Sequence, residues 1–185
     1  MKKSLLKTVL FLVAVLGYSN AIAGQAASQE YNKANRLFSE GKYSDALAVY
    51  QRVLAAHPGE AAAGKVQSRI GDCHFQLHDY QSALHAYRGA LQKQNDSERP
   101  PTQYWIGFCT FLLGNDKDAV AEFLKIPERY PSSGMWVGTA YYWAGRACER
   151  MGDKAKAAEY YRKAGGKGST TQGRFAIKKA EAVSK

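Results

Sequence analysis

Alanine recurs along this chain at a nearly fixed interval: Ala46, Ala83, Ala119 and Ala157 stand 37, 36 and 38 residues apart, each among the same kinds of neighbour. A period of that length constrains the chain to a helical solenoid, in which each repeat is one supersecondary unit. Five residues before each alanine comes a turn residue, Gly41, His78, Gly114 or Gly152, and seven residues before that a small one, Ala34, Gly71, Gly107 or Gly145. Four residues after each alanine stands an aromatic, Tyr50, Tyr87, Phe123 or Tyr161, and three further on Val53, Ala90, Ile126 or Ala164. Alanine, aromatic and small or branched residue share one helix face at i, i+4, i+7. Each unit reads as helix, short turn, helix. A small residue lets two backbones approach, and the aromatic fills the space beside them.

These alanine and aromatic pairs resemble the tetratricopeptide repeat (TPR) family, together with Gly71, Gly107 and Gly145 in the first helices and Pro58 and Pro131 closing two units. The resemblance covers about residues 27 to 165. It implies an all-α, right-handed helical solenoid of four helix pairs, about 27–60, 64–97, 100–133 and 138–168, within residues 24–168. Departures from the family pattern are His78 at a turn glycine, Asn95 and Ser169 at closing prolines, and Asp116 and Lys154 where a tyrosine usually follows the turn. Pro127 falls within the second helix of the third unit, which is expected to kink or end early there. Residues 169–185 have a Ser/Thr start and then one apolar and one basic face, as expected of a helix that caps the solenoid.

Residues 1–23 carry Lys2, Lys3 and Lys7, an apolar run from Thr8 to Gly17, and Ala21-Ile22-Ala23 before Gly24. This is the pattern of a cleaved secretory signal peptide, and its short lysine-rich start points to a bacterial periplasm. The run is about half the roughly 20 residues that a membrane helix needs. No cysteine follows the cleavage site, against lipid anchoring. Cleavage would leave 162 residues and lower the formal charge from +10 to +7. From Gly152 to Lys185 nine Lys or Arg face three Asp or Glu, so the basicity is C-terminal. Such a charge run suits a solvated last helix, or weak contact with anionic envelope material. Export argues against a nucleic-acid partner.

Cys73, Cys109 and Cys148 hold matching places in successive units. Stacked helices stand about 8–10 Å apart, beyond the roughly 7 Å Cα spacing of an unstrained disulfide, so buried free thiols are expected. His74 and His78 have the i, i+4 spacing of a helical zinc pair. Phe75 stands where a zinc protease needs glutamate, and no motif supplies a third ligand. His74 is instead expected between helices and His78 in the turn. No phosphate loop, nucleophile elbow or Cys/His pair is present, so the expected protein is not an enzyme and takes no cofactor or metal.

The helix Gln103–Leu113 is apolar nearly all round. Such a helix is either surrounded or presents an interaction surface. In the TPR family the first helices line a concave groove, and the resemblance places Tyr104, Phe108 and Phe111 there. Corresponding places are Tyr31, Asn35 and Phe38, then Ser68, Asp72 and Phe75, then Tyr142, Arg146 and Glu149. Aromatics would anchor a protein or peptide partner, and Arg146 or Arg150 would take its carboxylate. The N-terminal segment or a second copy of the chain could fill the groove instead. The repeated Tyr-Trp-x-Gly of Tyr104–Gly107 and Tyr142–Gly145 assigns both tryptophans to packing between units. The phrase from Tyr130-Pro131-Ser132-Ser133 to Ala140–Gly145 resembles the TPR region of the CpoB envelope family, which works with Tol-Pal and peptidoglycan synthesis in division, though its preceding coiled coil is missing. It is also similar to the helical superhelix of soluble lytic transglycosylases. The resemblance implies a non-catalytic periplasmic adaptor; the other reading is a peptidoglycan-associated factor.

Overall fold

The computed structural model describes residues 25–57, 59, 62–166 and 171–184; the expected signal peptide, Pro58 and Ser169 lie outside them. Among the described residues all regular structure is helical. The described residues divide into two compact units, one up to residue 59 and one from residue 62 on. The first holds α1 (25–39) and α2 (Tyr43–Ala56). The second holds the pairs α3 (Ala63–Gln76) with α4 (Tyr80–Lys93), α5 (Arg99–Leu112) with α6 (Asp116–Arg129), and α7 (Gly134–Arg150) with α8 (Lys154–Gly165), followed by α9 (Thr171–Val183). Among the described residues there are therefore four helix pairs and a final helix.

Each pair turns in the same way. The amides of Gly41, His78, Gly114 and Gly152 bond to carbonyls three residues back, and the next amides, of Lys42, Asp79, Asn115 and Asp153, to carbonyls five back. This closure of a helix C-terminus needs a left-handed residue. The four have φ of +76°, +61°, +83° and +80°. His78 therefore takes the glycine's place in the turn at some steric cost, with its Nδ1 3.0 Å from the Tyr80 hydroxyl. Asp79 and Asp153 then start the following helices by accepting from the amides of Ser82 and Lys156, at 3.1 Å each.

The small and aromatic residues meet as their periodicity requires. A Cβ built on Gly71 or Gly107 would stand 2.7 Å from the ring of Tyr87 or Phe123, and one on Gly145 2.9 Å from that of Tyr161. These contacts need a hydrogen atom at those positions. Ala34, its equivalent in the first unit, is fully buried, as are Ala46, Ala83, Ala119 and Ala157. Ala164 is half-buried, less enclosed than Val53, Ala90 and Ile126. In the second unit each helix packs on the next, and α5 also on α7 and α7 on α9. Such nearest-neighbour packing is the solenoid arrangement.

Pro127 does not end its helix early. α6 runs on to Arg129 and has the same 14 residues as α5. The missing amide lies in the last turn, where little helix remains to be disturbed, and the Tyr130 amide still bonds the Ile126 carbonyl at 2.8 Å. Cys73, Cys109 and Cys148 are buried free thiols. Burial pushes the first two up to about 12 and raises the third, so none offers a thiolate near neutral pH.

Candidate partner-binding face

The side chains on the outward side of the first helices serve the buried aromatics of the second. A buried tyrosine brings a hydroxyl that needs a partner. Tyr87 donates to Asp72 at 2.8 Å, and Tyr161 to Glu149 at 2.5 Å. In the first unit Tyr50 donates to Asn35 at 2.6 Å. Asn35 and Asp72 each lie 15 residues before their tyrosine. Phe108 occupies that register before Phe123. A phenylalanine has no hydroxyl, so its partner position can be apolar.

Asp72 carries a cost for its place. Burial raises its pKa above the usual carboxylate value, against the lowering effects of Tyr87 and of Arg69, whose guanidinium lies 3.0 Å away. A carboxyl raised on folding contributes stability that is complete below about pH 4 and is lost as pH rises through the folded-state value. Asp72→Asn keeps an acceptor oxygen for Tyr87 and removes this dependence. Urea denaturation should show a flatter stability profile above about pH 4 for the variant than for the parent. Parallel profiles would mean that Asp72 titrates alike in both states.

The register around Phe108 forms an aromatic tract. Phe108 lies 5.8 Å from Tyr104, 5.9 Å from Phe75 and 4.6 Å from Trp143, ring centre to ring centre. Tyr104 meets Trp136 at 5.5 Å. Phe75, Tyr104, Phe108, Trp136 and Trp143 are all half-buried. Burial pushes the Tyr104 hydroxyl up to about 12. Trp105 contacts Phe75 at 4.9 Å and Trp143 contacts Phe111 at 5.4 Å, so both tryptophans join neighbouring helix pairs. Trp136 was not singled out by the repeat, because it precedes the repeated Tyr-Trp-x-Gly segment.

Phe111 and Arg150 do not have the roles expected of them. Phe111 is buried, 8% exposed, and the Arg150 guanidinium covers its ring at 3.7 Å. The same guanidinium binds both carboxylate oxygens of Asp116 and donates to the Phe111 carbonyl at 2.5 Å. Arg150 therefore joins the end of α5, the start of α6 and the end of α7, rather than offering an unpaired charge. Arg146 lacks such a clamp: its side chain, 40% exposed against 41% for Arg150, stands 3.9 Å from Glu149 and 5.7 Å from the Trp143 ring centre. Tyr142 beside it contacts Tyr161 and the exposed Phe175, at 5.6 and 6.1 Å. Phe75, Tyr104, Phe108, Tyr142 and Arg146 thus lie along successive first helices of the second unit. In the first unit Tyr31 packs on Tyr50 at 5.7 Å and Phe38 on Tyr43 at 5.1 Å.

His74 is half-buried with its Nδ1 3.3 Å from Asp79, and His78 turns toward Tyr80, so the two histidines have separate neighbours. Among the described residues no group of three His, Cys, Asp or Glu is placed to hold a metal ion.

A tetratricopeptide repeat model matches residues 31–100 and 69–134, and a second tetratricopeptide repeat model matches 138–164. No curated protein matches the chain. Among solved structures, a tetratricopeptide repeat protein from Parabacteroides merdae is similar with a TM-score of 0.73 at 14% identity, over 86% of this chain and 60% of that one. A MamA protein is similar with a TM-score of 0.70 at 18% identity, over 87% of this chain and 84% of that one. The apo form of RapI gives 0.72 at 13% identity, over 83% and 47%. At such identities these likenesses show the fold.

Proposed function

Because this chain belongs to the tetratricopeptide repeat family, we propose that it is a non-catalytic adaptor that holds a protein or peptide partner on the first-helix face, in the bacterial periplasm. The observation that carries this reading is the half-buried aromatic tract of Phe75, Tyr104, Phe108 and Trp143, with the partly exposed Arg146 beside it. Aromatic rings supply large rigid contact area, and an arginine at their edge suits a carboxylate or a backbone carbonyl. The N-terminal lysines, apolar run and small-residue cleavage pattern support export. The likeness of Tyr130–Ser133 and Ala140–Gly145 to the TPR region of CpoB supports a place in envelope or division assembly. Repeat scaffolds host many tasks, so the partner's identity must come from binding itself.

Capture from envelope extract with the chain from Gly24 onward, quantified by mass spectrometry, tests the reading. Arg146→Ala should lose at least tenfold of the retained partner, whereas Lys117→Ala on α6 should retain it. Circular dichroism should show both variants as helical as the parent. Equal capture by all three would remove Arg146 from the site. Sedimentation of the protein with isolated sacculi, with no protein captured, would favour the peptidoglycan-associated reading.

A further inference from the structure

Residues 94–98 link α4 to α5, and residues 130–133 link α6 to α7. A cleft of about 650 Å³ lies between these two links. Its size is within the range of about 300–1,000 Å³ found for small-molecule sites. From the first link and the start of α5 come Asp96 and Arg99. The Arg99 guanidinium donates to Asp96 at 2.7 Å, and the Asp96 side chain is still 84% exposed. The carboxylate is therefore balanced in charge and keeps lone pairs open to solvent. From the end of α6 and the second link come Arg129, Tyr130, Ser132 and Ser133. Among the described residues Arg129 has no carboxylate partner, and the hydroxyls of Tyr130, Ser132 and Ser133 bond to no protein group. Ser133 stands directly before α7, yet its side chain caps no amide of that helix. Among the described residues that line the cleft, Pro131 alone has no polar side-chain group.

We propose that this cleft binds a small saccharide carrying one anionic group, a carboxylate or a phosphate. Arg129 takes the anionic group, for which its planar fork of donors is suited in either case. Sugar hydroxyls donate to Asp96 and exchange hydrogen bonds with the hydroxyls of Tyr130, Ser132 and Ser133. Other small ligands use less of what is present. A bare anion fills little of the space and gives Asp96 nothing to accept. A neutral sugar leaves Arg129 without a counter-charge. Apolar side chains of a peptide find only Pro131 and the Tyr130 ring, and would cover polar groups without pairing them. The cleft shares no residue with the first-helix face, so this proposal and the adaptor reading can fail separately.

Titrations followed by the amide NMR signals of the chain from Gly24 onward, which keeps every described helix, are the test. N-acetylmuramic acid supplies a sugar with a carboxylate, and glucose monophosphate a sugar with a phosphate. N-acetylglucosamine, lactate and inorganic phosphate each supply one part alone. At least one acidic sugar should bind with a Kd of about 1 mM or below and shift the amides of Ser132 and Ser133. The single-part probes should bind at least tenfold more weakly. The tighter of the two acidic sugars identifies the anionic group. Arg129→Gln should weaken that sugar at least tenfold, with unchanged helical content. Asp96→Ala removes the acceptor for sugar hydroxyls and frees Arg99, so it should weaken the acidic sugar and strengthen inorganic phosphate. No binding of either acidic sugar at about 10 mM overturns the proposal, as does full binding by Arg129→Gln. Inorganic phosphate bound as tightly as glucose monophosphate would mark a plain anion site, and N-acetylglucosamine bound as tightly as N-acetylmuramic acid a plain sugar site; either result overturns it.

Discussion

Replacing Phe123 with alanine should lower the free energy of unfolding by about 3–5 kcal/mol, the range for removing a buried aromatic ring. Phe123 is fully buried and belongs to a core shared by α5, α6 and α7, with Phe111, Ala119, Ile126, Ala140 and Ala144. Its ring also lies where a Cβ on Gly107 would stand, 2.7 Å away. Gly107→Ala should therefore cost about 1–3 kcal/mol in the parent, through overpacking against a ring that has little room to move. In the Phe123→Ala background the same methyl finds space, and the two effects should depart from additivity by about 0.5–3 kcal/mol. Urea denaturation of the two single variants and the double variant measures all three quantities. Additive losses would show that the small residue and the ring do not constrain each other, contrary to the packing described for every pair of the second unit.

Phe108→Arg should cost on the order of 2–3 kcal/mol of stability, in addition to any effect on binding. As an open anchor, read from its place in an apolar helix, Phe108 could be replaced with little effect on melting. The structure gives it five ring neighbours: Phe75, Tyr104, Trp105, Phe111 and Trp143. A guanidinium there would displace several of them or be forced among them without a carboxylate. Phe108→Leu, which keeps an apolar side chain, should cost less than about 1.5 kcal/mol. Thermal melting separates the cases: an unchanged midpoint for Phe108→Arg would return Phe108 to the role of an exposed anchor. This is why Arg146, and not Phe108, is the position at which binding and folding can be measured apart.

The repeat was legible because each of its parts occurs four times at a constant offset, so the Gly71–Tyr87, Gly107–Phe123 and Gly145–Tyr161 contacts follow from sequence register alone. His78 in a left-handed turn was legible for the same reason, since its three counterparts are glycines. The candidate face was less so. Phe111, Tyr104 and Phe108 share a helix stripe in the sequence, yet the breadth of their burial depends on Trp136 and Trp143, which arrive from α7. Arg150 looked like an available cation because its acceptor, Asp116, lies 34 residues earlier and has no signature of its own. Pro127 does not shorten α6 because distance from the end of the helix decides how much of it a missing amide disturbs, and helix ends are poorly marked in sequence.

The 15-residue link by which Tyr50 and Tyr87 reach their first-helix acceptors also bears on how this surface could have arisen. Changing Phe123 to tyrosine would bring a hydroxyl against apolar Phe108, and changing Phe108 to aspartate would bring a carboxylate with no hydroxyl to receive. Either single step creates an unsatisfied polar group, costing about 1–3 kcal/mol or more when charged, while both together would recreate the arrangement of Tyr87 and Asp72. Polar and apolar versions of a repeat are thus separated by an unfit intermediate. Once phenylalanine was fixed in the interior of the third repeat, descent by single substitutions would tend to preserve the greasy character of the surface above it, whether or not a ligand was selecting for it.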